Sequence, residues 1–149
     1  MGIADGERVV SLDLDMVIIK ELDSLFDRDE DFIGWRVPGG RHPRVFNGTI
    51  FMHRAATMDH VWHLFNPNKS PATAKHAGYF GTDQGWLSYL LSDSAVGWTR
   101  EDGIMGFGTD ISLTGKIPAW TRLISFHGRR KQWDDLIQRQ NPWIKEYWK

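Results

Sequence analysis

The sequence predicts an α/β fold in which a mixed sheet is flanked by short helices. The chain has 149 residues, 41% hydrophobic and 25% charged, and this balance is typical of one globular domain. Segments rich in β-branched and aromatic residues alternate with segments of helical periodicity, which favours α/β architecture. No internal repeat or low-complexity stretch interrupts this alternation. A single domain spanning 1–149 is therefore expected.

The composition argues against several classes of protein. A formal net charge of −1 offers no basic field to a nucleic acid, and the absence of cysteine excludes disulfides and thiolate metal sites. No apolar run approaches the length of a membrane span, and the first seven residues do not resemble a signal peptide. A cytoplasmic protein without a membrane span is expected.

The first elements follow from short apolar patterns. Residues 8–12 form an apolar run that predicts a buried strand. Within residues 20–26, leucine and phenylalanine recur at i, i+3 and i+4, which predicts a short helix. Residues 32–37 favour an aromatic strand that ends at Pro38-Gly39-Gly40, because proline lacks the N–H that a sheet needs.

Residues 45–51 predict a further strand, and this strand contains the dipeptide Asn47-Gly48. Such a dipeptide is typical of a hairpin turn. Alternatively, the glycine lets the strand backbone approach a ligand beside a polar asparagine side chain. The residues alone leave both interpretations open.

Capping residues mark the helices of the middle of the chain. Thr57 is a candidate N-cap for a helix through residue 65, and Thr82 for a helix through residue 91. Ser70-Pro71 predicts another helix start, because proline is tolerated in the first turn. Beyond them, two strands are expected at 95–99 and 122–127, with a glycine-rich loop between them. Two short helices are expected at 131–137 and 141–148.

The carboxylate pair Asp13 and Asp15 is the strongest chemical signal in the chain. Acids spaced i, i+2 on extended backbone share a face, where their charges repel unless a cation lies between them. Oxygen ligands of this kind suit Mg²⁺ or Mn²⁺ held together with substrate phosphates. The alternative is a pair of acids in a surface loop at the end of a strand.

Two further clusters have the chemistry of a ligand site. Asp83 and Gln84 begin a predicted helix, where they either cap free N–H groups or contact the hydroxyls of a polar ligand. His127 and Gly128 follow the last predicted strand and precede two arginines and Lys131. The glycine permits close backbone approach, and the cations can bind phosphate oxygens.

In their order along the chain, these segments resemble the catalytic half of nucleotide-sugar glycosyltransferases with the GT-A fold. The group concerned contains glycogenin and the bacterial lipopolysaccharide galactosyltransferases. The D-x-D segment with its following L-x-x-L-F is similar to that family's, and GRRKQW is similar to its Gly-x-x-Lys-Pro-Trp loop. The segments that carry the resemblance are 11–26, 46–51, 83–87, 128–133 and 143–148.

The resemblance implies a role for each candidate residue. Asp13, Asp15 and His127 would bind a divalent metal, Mn²⁺ or Mg²⁺, that bridges the diphosphate of a nucleotide-sugar donor. Gly128 and Lys131 would contact that diphosphate. The residues implied to contact the transferred sugar or the acceptor hydroxyl are Asn47 and Gly48, together with Asp83 and Gln84 as catalytic groups.

The chain departs from the family pattern in two places. The family often has a histidine three residues before the loop glycine, where this chain has Ser125, and His127 is the nearby substitute. The strand–helix units that bind the nucleotide base precede the D-x-D strand in the family, and only seven residues precede it here. A domain incomplete at its N-terminus is therefore expected, with a sheet edge that a partner chain or a second copy could cover.

The function predicted from the resemblance is metal-dependent transfer of a sugar from a nucleotide-diphosphate sugar to a saccharide or other hydroxyl acceptor. The alternative is a catalytically inactive half-domain that binds a partner chain or a carbohydrate. A metal-dependent phosphohydrolase would use similar residues, but the order of the motifs argues against it.

Overall fold

The computed structural model describes residues 2–36 and 46–148. By their internal contacts they form two compact units. The first unit comprises Met1–Leu12 and Asp29–Trp98, and the second comprises Asp13–Arg28 and Thr99–Lys149. The described residues contain seven strands: β1 Arg8–Leu12, β2 Met16–Ile18, β3 Phe32–Arg36, β4 Phe46–Arg54, β5 Val96–Trp98, β6 Ile104–Gly106 and β7 Leu123–Ser125.

Short helices connect these strands. A 3₁₀ turn at Arg100–Asp102 and a π-helical turn at Phe107–Ile111 flank β6. The α-helices of the described residues are α1 Asp23–Phe26, α2 Asp59–His63, α3 Ser70–His76, α4 Asp83–Leu91, α5 Ser112–Thr114, α6 Asp135–Gln140 and α7 Ile144–Tyr147. None of these helices is long and apolar enough to cross a membrane.

The first unit is built on a sheet of order β1-β4-β3-β5. β4 pairs antiparallel with both β1 and β3, and β5 adds to β3 in parallel. Helix α4 packs against β4. The rings of Phe32 and Phe46 meet edge to face at 5.3 Å between centroids, and with Leu91 they form a buried cluster. This sheet and its helix carry Asn47, Gly48, Asp83 and Gln84.

The second unit is built on a sheet of order β2-β7-β6, with β2 antiparallel and β6 parallel to β7. Phe107 and Phe126 stack with their ring centroids 4.4 Å apart. Apolar side chains from every element around these rings complete the core; they are Val17, Met105, Ile111, Ile124, Ile137 and Ile144. This core supports the ends of β2 and β7, from which the candidate metal and diphosphate residues emerge.

Several predicted elements are confirmed. β1 has the predicted bounds, although its residues are half-buried or exposed and not buried as predicted. Helix α3 begins at Ser70 with Pro71 in its first turn. Helix α4 begins after Thr82, whose hydroxyl accepts a hydrogen bond from the Gly85 N–H at 3.2 Å. β3 agrees with the prediction through Arg36, and the predicted break at Pro38 lies outside the described residues. The mixed α/β class follows from these elements.

Other predictions were wrong in detail. The hairpin interpretation of Asn47-Gly48 fails because β4 runs through the dipeptide, and Asn47 pairs with Trp35 of β3. The pairing of β3 with β4 shifts its register at this point, from Gly34 opposite Phe51 to Trp35 opposite Asn47. Thr57 does not cap α2, since its hydroxyl donates to the Arg54 carbonyl at 2.8 Å.

In the C-terminal part of the chain, elements were missed or predicted at shifted positions. The glycine-rich loop contains β6 and the π-helical turn, because a strand of three residues is too short to show a period. Helix α6 begins at Asp135 rather than at residue 131, and the preceding residues make contacts with the D-x-D segment instead.

Candidate functional site

The predicted site residues fall into two sets. Asp13, Asp15, His127, Gly128 and Lys131 belong to the second unit, whereas the sugar and acceptor candidates of β4 and α4 belong to the first. Each set is described by itself. Their roles stay predictions, and the geometry decides what each set can do chemically.

The D-x-D segment bends between two strands that belong to different sheets. β1 ends at Leu12 and β2 begins at Met16, so the three residues between them are not extended backbone within one strand. Asp13 is exposed and Asp15 is half-buried. The expectation that both carboxylates share one face of a strand therefore fails, because that spacing rule applies only to regular extended chain.

Lys131 joins the D-x-D segment to the loop that follows β7. Its ammonium forms an ion pair with the Asp15 carboxylate and donates to the Phe126 carbonyl at 3.1 Å. The Phe126 N–H in turn donates to the Asp15 carbonyl at 2.8 Å. The Gln132 amide donates to the Leu14 carbonyl at 2.9 Å. A cation is thus held against Asp15 by the loop that the sequence predicted to bind anions.

Backbone geometry shapes this loop. Gly128 has φ = +97°, a left-handed conformation that favours glycine. A Cβ placed there would meet no atom within 4 Å, so the backbone at this point is open. Three residues later the Lys131 N–H donates to the Asp134 carboxylate at 2.8 Å. The turn between them directs the Lys131 side chain to Asp15.

His127 is half-buried beside these groups. Its Nδ1 atom lies 3.3 Å from the Ser125 hydroxyl. Burial lowers the pKa of His127 below its ordinary value, and the nearby Lys131 adds to this effect, while Asp15 and Asp110 oppose it. The imidazole is therefore neutral at neutral pH, which is the form that binds a metal ion.

Asp110 is a carboxylate near His127 that the sequence did not single out. Its carboxylate is almost fully buried and accepts hydrogen bonds from the Gly106 N–H at 2.7 Å and the Thr109 hydroxyl at 2.9 Å. Arg100 forms an ion pair with it. Asp110 lies in the π-helical turn, a distortion that is frequent at functional sites. The available signal was a Thr-Asp pair following two glycines, and it is weak without the structure.

The first unit holds the candidate residues for the sugar and the acceptor. The Gly48 N–H donates to the Gln84 side-chain oxygen at 3.1 Å, so β4 and the start of α4 are joined at the predicted residues. The Asn47 side chain accepts from the Thr49 N–H at 2.8 Å. Asp83 lies at an apolar cleft of about 430 Å³ whose lining includes Trp62 and Trp86.

The donor groups of the second unit suit a divalent cation in their chemistry. Asp15 already binds a positive charge, and His127 is neutral. However, among residues 2–36 and 46–148 no three histidine, aspartate or glutamate side chains are grouped closely enough to hold a metal ion. The Asp15 carboxylate is instead paired with the Lys131 ammonium.

Comparison with solved structures finds glycosyltransferases. The glycosyltransferase GlyE of Streptococcus pneumoniae TIGR4 matches with a TM-score of 0.60 at 16% identity, over 86% of this chain and 36% of GlyE. The galactosyltransferase LgtC, solved in complex with donor and acceptor sugar analogs, matches with a TM-score of 0.60 at 16% identity, over 99% of this chain and 64% of LgtC. No family model and no curated protein matches the sequence.

These matches show the fold. The chain has the α/β fold of the GT-A glycosyltransferases, as the order of its motifs predicted. It spans about a third of the length of GlyE and less than two thirds of that of LgtC.

Proposed function

We propose that this chain takes part in the transfer of a sugar from a nucleotide-diphosphate sugar to a hydroxyl acceptor, with the help of a divalent cation. The observation that carries the proposal is the Lys131–Asp15 ion pair. It joins a carboxylate segment to a cationic loop, in a fold shared with glycosyltransferases.

The reaction explains why these groups belong together. The bond between the anomeric carbon and the diphosphate oxygen breaks, a bond to the acceptor oxygen forms, and the acceptor proton is released. Negative charge grows on the departing diphosphate, and fixed cations stabilise it. A divalent ion held by Asp13, Asp15 and His127 would supply Lewis-acid stabilisation of that leaving group.

The chain's own residues have two further tasks in this proposal. Lys131 would exchange the Asp15 carboxylate for a phosphate oxygen, and Gly128 would let the backbone approach the same group. Asn47, Gly48, Asp83 and Gln84 would contact the transferred sugar or the acceptor hydroxyl. The Gln84 oxygen that binds the Gly48 N–H leaves the amide NH₂ group to donate to a hydroxyl.

Calorimetric titration tests the donor site. Mn²⁺ alone, UDP or GDP alone, and each nucleotide with Mn²⁺ are titrated into the full chain. We expect a nucleoside diphosphate to bind in the presence of Mn²⁺, and Asp15→Asn to weaken that binding about tenfold or more. Asp5→Asn changes an exposed acid of the first unit and serves as the matched control. Nucleotide binding that ignores both Mn²⁺ and Asp15→Asn would refute the donor site.

Turnover distinguishes transfer from the inactive alternative. UDP-sugars and GDP-sugars are incubated with the chain, Mn²⁺ and a panel of simple saccharides, and release of the nucleoside diphosphate is measured. Release that needs Mn²⁺ and Asp15 supports transfer or donor hydrolysis by this chain. Metal-dependent binding without release supports a half-domain that binds its ligand without turnover.

A further inference from the structure

The loop after β7 contains three cations in succession, and the structure separates them into two groups. Lys131 turns to Asp15, as described above. Arg129 and Arg130 instead line a cavity of about 670 Å³ on the same unit. Within the described residues, no carboxylate forms an ion pair with either arginine. In the proposed function Lys131 binds the diphosphate of the donor, and neither Arg129 nor Arg130 is assigned a part.

We propose that this arginine cavity binds a sugar bearing an anionic group, a carboxylate or a phosphate, as the acceptor of the transfer. The arginine cavity is defined by Arg129, Arg130, Ser112, Gln140 and Asn141 around an apolar floor. That the ligand is the acceptor rests on the proposed function. The class of ligand is inferred from the cavity alone.

The charges in the arginine cavity favour an anion. The lining of the arginine cavity includes two arginines and one carboxylate, Asp134, and that carboxylate already accepts the Lys131 N–H at 2.8 Å. A guanidinium group is planar and always charged, and it can bind a carboxylate or a phosphate through two parallel hydrogen bonds. Both arginines are exposed to solvent, and an anion gains charge-assisted hydrogen bonds from them that a neutral ligand does not.

The remaining lining suits a sugar ring. The Ser112 hydroxyl donates to the Gly108 carbonyl at 3.1 Å, so its lone pairs remain to accept from a ligand hydroxyl. The Asn141 NH₂ group donates to the Ile137 carbonyl at 3.0 Å, which likewise leaves its oxygen as an acceptor. Phe107 and Ile137 supply the apolar floor.

The size and composition of the arginine cavity point to the same ligand class. The volume lies within the range of about 300–1,000 Å³ that small-molecule sites occupy, and sites of this kind combine apolar walls with a few polar groups. A free inorganic anion would use the arginines and leave the apolar floor and the amides unused. A sugar that carries an anionic group uses all three.

Binding of three matched sugars tests the inference. Glucuronic acid, glucose 6-phosphate and glucose are titrated into the full chain and followed by ligand-observed NMR and calorimetry. We expect at least one of the two anionic sugars to bind and neutral glucose to bind about tenfold more weakly or not at all. The two anionic sugars distinguish a carboxylate from a phosphate ligand. Equal binding of all three, or of none, would overturn the proposal.

Variants locate the binding. The double variant Arg129→Gln with Arg130→Gln is expected to lose about tenfold or more in affinity for the anionic sugar. Arg139→Gln removes an exposed arginine of α6 that pairs with Asp135 rather than lining the arginine cavity, and it should bind as the wild type does. Unchanged binding by the double variant would overturn the assignment.

Competition between UDP and the anionic sugar tests whether the arginine cavity is separate from the proposed donor site. UDP with Mn²⁺ is titrated into the wild type and the double variant, in the presence and absence of the anionic sugar. We expect the nucleotide to bind equally in both chains and not to displace the sugar. Displacement by UDP, together with weaker UDP binding in the double variant, would place the arginines in the donor site and refute a separate acceptor site. Anionic sugar binding without any UDP binding would refute the donor site alone.

Discussion

The ammonium of Lys131 lies against the carboxylate of Asp15, and the backbones of the same two loops are hydrogen-bonded between Phe126 and Asp15 at 2.8 Å. The ion pair is partly exposed, with about a quarter of the lysine side chain accessible to solvent. Its contribution to stability is therefore modest. Its importance is that one carboxylate has two candidate partners, the lysine and a metal ion.

Replacing Lys131 by methionine should move two affinities in opposite directions. Mn²⁺ alone should bind about two- to fivefold more tightly, because a partly exposed ion pair no longer competes for Asp15. UDP in the presence of Mn²⁺ should bind about tenfold more weakly, because a cation on the diphosphate is lost. Calorimetry measures both. Lys145→Met on α7 is the control, and a shift of both affinities in one direction would contradict the competition.

A methyl group at Gly106 should disturb His127. A Cβ there would lie 2.8 Å from His127 Cε1 and 2.4 Å from the Thr109 hydroxyl oxygen, so both side chains must move. Gly106→Ala should lower the free energy of unfolding by about 1–3 kcal/mol and shift the His127 Hε1 resonance in NMR spectra.

Gly108→Ala provides the matched control two residues away. A Cβ at Gly108 would meet nothing within 4 Å. We expect a change in the free energy of unfolding within about 0.5 kcal/mol and an unshifted His127 signal. If both alanine variants behave alike, the close approach of Gly106 and His127 is wrong.

The stability of the chain should depend on pH through His127. Its folded-state pKa lies below the ordinary value of 6.5, so the unfolded chain binds more protons in the interval between the two values. The free energy of unfolding should therefore fall as the pH drops through 6.5 and into that interval, and level off below the folded-state pKa. Urea unfolding of the wild type and of His127→Gln between pH 8 and pH 5 measures the difference, in which the other titrating groups cancel. Parallel pH profiles for the two chains would contradict the shift.

The hydrogen bond from the Gly48 N–H to Gln84 should hold the two candidate sugar-binding segments together. Gln84→Ala removes the acceptor and should lower the free energy of unfolding by about 0.5–1.5 kcal/mol. Gln84→Glu retains an oxygen at the same position and should recover most of the loss. Amide hydrogen exchange at Gly48 should quicken in the alanine variant only. Equal exchange in all three chains would show that this bond does not protect β4.

Much of the fold could be predicted from short-range patterns. The apolar run of β1 and the cap at Thr82 depend on residues within one or two turns of each other, and both were placed correctly. The three-residue strand β6 could not be predicted, because its place in the sheet depends on β7 rather than on its own period. Asn47-Gly48 shows the same effect, since pairing of Asn47 with Trp35 of the neighbouring strand β3 outweighs the local preference for a turn.

The candidate site was predictable as a set of residues but not as an arrangement. The sequence identified Asp15, His127 and Lys131 as chemically related groups. It did not show that Lys131 would occupy Asp15, nor that Asp110 would lie beside His127. The roles of Asp13, Asp15 and His127 as metal ligands are implied by the family resemblance and stay a prediction, and the chain bends at the D-x-D segment instead of continuing as a strand.

The sequence by itself determined the fold class, the extent of β1 and the order of the segments that matches the GT-A glycosyltransferases. These properties depend on periodicity, capping and motif order, which can be recognised directly in the sequence. Only the tertiary structure decided how the cations of residues 129–131 are shared between the D-x-D segment and the arginine cavity. Lys131 and Asp15 are 116 positions apart in the sequence, and no local pattern records which of three neighbouring cations will reach a carboxylate at that distance.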